Sequence, residues 1–220
     1  MKYPEVWGEW VTLCMLHEDT APSISRFGDG EFKLVDGKEY VRERRNKKLT
    51  AEIRDVLYNA PDNLILGIPT MDESGPKSAS WHRHKTRFAK LLEPCEEKHL
   101  YSAFITRPDS APWIDKIEYA QFFESLWVGK RAAVLCEKKG SALRLVREGA
   151  RRCKWFECPH EGAYAQIDDF EREIAEYMPD VAILSAGVTA TCLAARLARR
   201  GIQAIDFGSA GSFLMRHLYP

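Results

Sequence analysis

Val181-Ala182-Ile183-Leu184-Ser185-Ala186-Gly187 leads without a break into Val188-Thr189-Ala190-Thr191-Cys192-Leu193-Ala194-Ala195-Arg196-Leu197-Ala198-Arg199-Arg200-Gly201, and Ile202-Gln203-Ala204-Ile205 follows. The first five residues are a short apolar run that reads as a buried strand, and Ala186-Gly187 reads as a turn. Val188 to Arg200 has the length and composition of a helix stopped by Gly201, and Ile202 to Ile205 is a further strand. Two apolar strands joined by a helix of this length need a crossover connection. They are therefore expected side by side and parallel in one sheet, with a right-handed crossover.

Working outward toward the N-terminus, the same helix-then-strand unit recurs. Leu49, Ile53, Val56 and Leu57 mark a helix over 47–60, and Asn63 to Pro69 is a buried strand closed by proline. A helix from Trp81 to Leu92 precedes a strand from Leu100 to Ile105, and a helix from Pro112 to Trp127 precedes a strand from Arg131 to Cys136. Ser141 to Glu148 reads as a shorter helix, Cys153 to Cys158 as a strand and Ile167 to Tyr177 as a helix. At the start of the chain, Val6, Trp10 and Leu13 recur at helical spacing, which predicts an amphipathic helix ending near His17. Pro22 to Phe27 reads as extended, breaks at Gly28-Asp29-Gly30-Glu31, and is expected to resume as a short strand over Phe32-Lys33-Leu34-Val35. Strands alternating with long helices predict an α/β fold: a single Rossmann-like domain over residues 1–220, with a mainly parallel sheet covered on both faces.

Composition narrows the function. The 220 residues are 45% hydrophobic and 29% charged, ordinary values for a chain that folds around a core. Lys plus Arg and Asp plus Glu each number 32, so no global positive field draws in nucleic acid or an anionic membrane. No apolar stretch is long enough to span a bilayer and no leader pattern opens the chain, which predicts a cytoplasmic protein. The six cysteines include no Cys-x-x-Cys pair, so neither a disulfide framework nor a structural zinc site is indicated.

The residues that offer chemistry lie in the loops after strands. Asp29 and Glu31 are two apart in a glycine-flanked turn, and an extended backbone there would aim both carboxylates to one side. Two hard oxygen ligands suit Mg²⁺ or Mn²⁺ shared with diphosphate oxygens, and Arg26 just before them suits an anionic ligand. An ordinary Asp-Gly turn with a structural ion pair is the plainer alternative. The Ser185-to-Thr191 turn opens a helix after a buried strand, which makes Gly187 with Thr189 or Thr191 a phosphate cradle. A strand-to-helix turn in any α/β protein also wants a small residue. The turn lacks the Walker A and G-x-G-x-x-G spacings, which disfavours P-loop NTPases and NAD enzymes. His82 and His84 lack further zinc ligands nearby and read as part of a basic helix face.

Four blocks carry a family resemblance: Ser25-Arg26-Phe27-Gly28-Asp29-Gly30-Glu31; Ile105-Thr106-Arg107-Pro108; Trp127-Val128-Gly129-Lys130-Arg131; and Gly187-Val188-Thr189-Ala190-Thr191 continuing to Gln203-Ala204-Ile205-Asp206-Phe207-Gly208. In this order the chain resembles the bacterial GT-D fold glycosyltransferases. The resemblance implies inverting transfer of a hexose from a UDP-sugar, assisted by Mn²⁺ or Mg²⁺, with Asp29 and Glu31 as the Asp-x-Glu metal and nucleotide-sugar motif. It also implies nucleotide contacts from Arg26, Gly28, Arg107 and the Gly187 turn. Val188 stands where the family pattern has Pro, and Ser209 where it has His. Glu137-Lys138-Lys139-Gly140-Ser141 shortens its Glu-Gly-x-x-Ser-Arg. An inverting transfer needs a base on the acceptor hydroxyl, and Glu137 and Asp109, each just beyond a predicted strand, are the candidates. The acceptor is expected to be a glycan or glycoprotein. The alternatives are a hydroxylated base in DNA, met by the Arg42–Lys48 and Arg83–Lys90 clusters, or a nucleotide-binding protein without turnover.

Overall fold

The computed structural model describes residues 2–38, 40, 43, 46–71, 81–107, 114–137 and 140–218. Eight strands form one sheet: β1 (Val6–Trp7), β2 (Ser23–Arg26), β3 (Leu64–Ile68), β4 (Leu100–Ser102), β5 (Arg131–Cys136), β6 (Arg152–Glu157), β7 (Val181–Leu184) and β8 (Gln203–Asp206). Their order is β1-β4-β3-β2-β8-β7-β5-β6, and each pairing is parallel. The β7–β8 pair expected from the sequence is present, with Val181 opposite Gln203 and Leu184 opposite Asp206.

Residue alternation along the strands feeds two cores. Ala133, Leu135, Ala182 and Leu184 face one core, while Ala132, Val134, Val181 and Ile183 face the other. The first core is covered by α2 (Asp29–Val35), α3 (Lys47–Tyr58), α4 (Lys85–Leu92), α7 (Ile167–Tyr177) and α8 (Val188–Arg199). The second is covered by α1 (Glu9–Met15), α5 (Lys116–Glu124), α6 (Ser141–Gly149) and α9 (Ala210–Leu218). β2 and β8 are neighbours, yet the chain leaves β2 into α2 on one face and leaves β8 into α9 on the other. Such a divergence opens a crevice at the carboxyl ends of the strands, where ligands of open parallel sheets bind.

Several expectations are corrected. Residues 32–35 are the end of helix α2, not a strand. Gly28 is extended at the N-cap, Asp29 brings an acid to the first turn, and the Glu31 carboxylate accepts the Gly28 N–H at 2.8 Å. These helix-start signals outweigh the apolar content of Phe32, Leu34 and Val35, which bury in the first core. The expected first helix is split: Val6–Trp7 pairs with β4 at the sheet edge, and the helix begins at Glu9. β4 stops at Ser102 because the Ser102 hydroxyl accepts the Phe104 N–H at 3.0 Å and starts a 3₁₀ turn over Ala103–Thr106. α5 begins only at Lys116, capped by Asp115, whose carboxylate accepts from the N–H groups of Ile117 and Glu118. α9 was not anticipated.

Candidate functional site

Arg26 ends β2 and Asp206 ends β8, so parallel pairing brings them together at the carboxyl edge. The Arg26 N–H donates to Asp206 Oδ2 at 3.0 Å, Nη2 donates to Oδ1 at 3.1 Å, and Nε donates to the Asp206 carbonyl at 2.6 Å. Nη1 donates to the Ala103 carbonyl at 3.1 Å and to Thr106 Oγ1 at 2.7 Å. The guanidinium thus ties together the ends of β2, β4 and β8. Its planar fork supplies several donors in fixed directions, a task lysine cannot share. Gly208 makes this approach possible: it has φ +50°, and a Cβ there would lie 2.0 Å from Arg26 Nη2.

Glu31 is the second buried carboxylate. Its Oε1 lies 3.4 Å from Thr191 Oγ1, which is also 3.2 Å from Asp206 Oδ2 and 3.2 Å from the Arg26 carbonyl. One hydroxyl proton serves one of these acceptors at a time. Burial first, and the Asp206 charge second, push the Glu31 carboxyl up to about 7. The structure therefore concentrates negative charge in a water-poor place, with Arg26 as the counter-charge.

Two clefts flank this cluster. One, of about 310 Å³, lies toward β3 and β4 and is lined by Arg26, Gly28, Glu31, Arg107 and Asp206, with aromatic side chains. The other, of about 420 Å³, lies toward β5 and β6 and takes in Glu137, Ser141 and His160. Gly187, Gly208 and Ser209 line both and form the divide. Three helices start on the second cleft: α6 after Gly140, α8 after Gly187, and α9 just after Ser209. Gly187 has φ +55° and ψ −140°, and a Cβ there would meet nothing within 4 Å. Its backbone is what demands glycine, and the space above it is open.

The placement of the expected site residues is uneven. Arg26, Gly28, Glu31, Arg107 and Gly187 share one cleft. Asp29 does not pair with Glu31 as an extended backbone would have it. It sits at the first turn of α2, more than half exposed, bonded to Lys33 one turn on. Thr189 and Thr191 are turned into the protein: Thr189 Oγ1 donates to buried Glu43 at 3.1 Å, and Thr191 serves the carboxylate cluster. Glu137 lies at the end of β5 in the second cleft, its Oε1 2.8 Å from His160 Nδ1. Asp109 lies outside the described residues, as do positions 42, 44 and 45 of the first basic cluster; in the second, Arg87 is paired with Asp36. The sequence reading gave no role to Asp206, Thr106, Glu43 or His160, although Thr106 and Asp206 stand in the blocks that carry the family resemblance. For Asp206 the signal was present: an acid closing a buried parallel strand at the ligand edge.

An Mg²⁺ or Mn²⁺ ion fits this donor set in one particular way. Among the described residues no group of three or more acidic, imidazole or thiol side chains converges to hold an ion unaided. Glu31 offers a hard carboxylate on the cleft, with Asp206 behind it held on both oxygens by Arg26, which suits a cation that completes its shell with phosphate oxygens and water. The buried thiols of the second cleft are poor ligands and poor nucleophiles, since burial raises Cys136 and pushes Cys158 up to about 12.

An all-parallel sheet with a polar crevice at its switch point, buried carboxylates on one side and glycine-led helix starts on the other, is the architecture of an α/β protein that binds its ligand at the carboxyl edge of the sheet. Residues 24–212 match the family described as Glycosyltransferase GT-D fold, and the chain belongs to that family of glycosyltransferases. It is 28% identical over 204 residues to the probable glycosyl transferase Gly of Streptococcus gordonii, and 26% identical over 204 residues to the glycosyltransferase GlyD of Streptococcus pneumoniae. Each match covers 86% of this chain but only 30% and 25% of those proteins, so the chain spans less than a third of their length. Among solved structures it resembles one reported to show that the highly conserved domain of unknown function 1792 has a distinct glycosyltransferase fold. That match has a TM-score of 0.84 at 25% identity and covers 96% of this chain and 80% of the other. A structure described as a new glycosyltransferase from Streptococcus sanguinis aligns with a TM-score of 0.78 at 24% identity, over 95% of this chain and 83% of that one.

Proposed function

We propose that this chain transfers a hexose, with inversion, from a UDP-sugar to a glycan or glycoprotein acceptor, assisted by Mg²⁺ or Mn²⁺. The observation that carries the reading is the meeting of the buried Glu31–Asp206 pair with the Gly187 turn at the divide between two clefts. A departing UDP gains negative charge on its diphosphate, and the site has two means of receiving it. The first turns of α6 and α8 bring backbone N–H groups and the positive ends of helix dipoles to the second cleft. Glu31, with Asp206 behind it and Asp29 exchanging its Lys33 partner, would hold the cation, which supplies positive charge to the leaving diphosphate. Arg26 keeps Asp206 in place, and Arg107, which lines the same cleft, is the guanidinium we assign to the substrate.

The acceptor hydroxyl must lose a proton as the new bond forms at the anomeric carbon. Glu137 in the second cleft, with His160 Nδ1 on its carboxylate, and Asp109, two positions beyond Arg107 of the first cleft, are the two candidate bases, and the one on the acceptor's side serves. A cytoplasmic site of action suits the six unpaired cysteines. No helix of the described residues is long and apolar enough to cross a membrane.

The test is UDP release from a panel of UDP-sugars with Mn²⁺, with and without sugar acceptors. The wild type should release UDP from at least one donor, and Glu31→Gln and Asp29→Asn should each lower turnover at least ~100-fold, about 2.7 kcal/mol in the barrier. Glu137→Gln or Asp109→Asn, whichever removes the base, should lower transfer while leaving the donor KM unchanged. Metal-dependent turnover unchanged in both the Glu31 and Asp29 variants would refute the assignment.

A further inference from the structure

The first cleft carries a feature that metal and phosphate binding leave unused: an aromatic wall opposite its carboxylates. Trp81 is half-buried and lines the cleft beside Phe104 and Pro69. Its ring is held edge-on to Phe104, with centroids 6.3 Å apart, and leans on Phe88 at 5.8 Å. Phe88 in turn stacks on Phe32 of α2 at 4.1 Å. Phe32, Phe88 and Phe104 are buried, while Trp81 and His84 of this stack are partly exposed, and of these two it is Trp81 that lines the cleft. A large indole packed against Phe88, Phe104 and His84 and lining a polar cleft is a preorganised platform for a flat or chair-shaped group.

We propose that the Trp81 wall binds the acceptor, taking a pyranose ring by its C–H face, with Arg107 meeting the ring hydroxyls. The inference rests on the donor reading above, which gives the diphosphate to the helix starts of the second cleft. The reacting sugar then lies at the Gly187–Ser209 divide, and the first cleft is the space left for the group that attacks it. The chemistry agrees. A pyranose has one apolar face and a rim of hydroxyls, which matches an indole set among guanidinium, hydroxyl and carboxylate groups. At about 310 Å³ the cleft is at the small end of ligand sites and has room for one terminal sugar ring.

The experiment measures saturation-transfer NMR on methyl β-glucopyranoside, methyl β-galactopyranoside and methyl β-N-acetylglucosaminide. UDP with Mn²⁺ is titrated calorimetrically in parallel, using wild type, Trp81→Ala and Trp81→Phe. The wild type should saturate the ring protons of at least one glycoside. Trp81→Ala should reduce that signal at least fivefold, Trp81→Phe should retain most of it, and the UDP Kd should stay within about twofold in all three. The Trp81→Phe arm and the UDP titration exclude simple loss of folding. No glycoside signal in the wild type, or an equal signal in Trp81→Ala, overturns the platform. A tenfold loss of UDP affinity in Trp81→Ala with glycosides unaffected overturns it in favour of a nucleobase wall. Failure of every form to bind UDP, with glycoside binding still dependent on Trp81, supports the platform and refutes the donor reading instead.

Discussion

Replacing Glu31 by Gln isolates what the buried carboxylate costs the fold. Glu31 has its carboxyl raised from an ordinary 4.5 to about 7, mainly by burial and then by the Asp206 charge. A raised carboxyl pKa means that the folded state prefers the protonated acid. The penalty is therefore absent below about pH 4.5, grows as pH rises, and is complete above about pH 7. At about 1.4 kcal/mol per factor of ten the full penalty is about 3 kcal/mol. Glutamine has the same shape and no charge. Its amide oxygen can accept the Gly28 N–H now bonded to Glu31 Oε2, and its amide group can donate toward Thr191 or Asp206. Glu31→Gln is thus expected to stabilise the protein by up to about 3 kcal/mol at pH 8.5 and by little at pH 4.5. For a chain of this size that corresponds to a Tm increase of roughly 6–12 °C at the higher pH. Urea or thermal unfolding of both proteins at the two pH values, without metal, is the assay. A Tm difference independent of pH, or a destabilised variant at pH 8.5, would show that Glu31 is not a strained buried acid.

Two more outcomes follow from the same geometry. Arg26→Met leaves buried Asp206 without its guanidinium and should cost about 3–5 kcal/mol in urea unfolding near neutral pH, while an effect below about 1 kcal/mol would contradict the role given to Arg26. Gly187→Val forces a branched side chain onto φ +55° at the open head of α8, so it should cost about 1–3 kcal/mol in stability and raise the KM for the nucleotide sugar; an unaltered KM in a folded variant would leave the turn as architecture alone.

The α/β class and most of the sheet were legible because buried parallel strands are short apolar runs and their crossover helices carry a different period. Val181–Leu184, Val188–Arg199 and Gln203–Asp206 follow the expected unit within a residue or so. The reading failed where local chemistry outweighed apolar content. Phe32, Leu34 and Val35 look like a strand until Glu31 is recognised as the residue that caps Gly28 from within a helix. That one change also moved Asp29 away from Glu31 and out to Lys33. The charged neighbour of Glu31 proved to be Asp206, 175 positions further on and linked to it through Thr191 Oγ1, a juxtaposition set by β2 lying beside β8. Strand order is not written in either segment alone, so the Arg26–Asp206–Glu31–Thr191 cluster was beyond a linear reading. Trp81 and His160 were similarly opaque: each gains meaning only from the cleft that other elements complete.

A crystal structure with UDP and Mn²⁺, using Mn anomalous scattering, shows whether one bound UDP spans the carboxylate pair and the Gly187 turn. A single anomalous peak is expected in contact with a Glu31 carboxylate oxygen and a diphosphate oxygen, with the diphosphate against the first turn of α8. A diphosphate bound away from the Gly187 turn, or a manganese ion in contact with neither Glu31 nor Asp206, would contradict it.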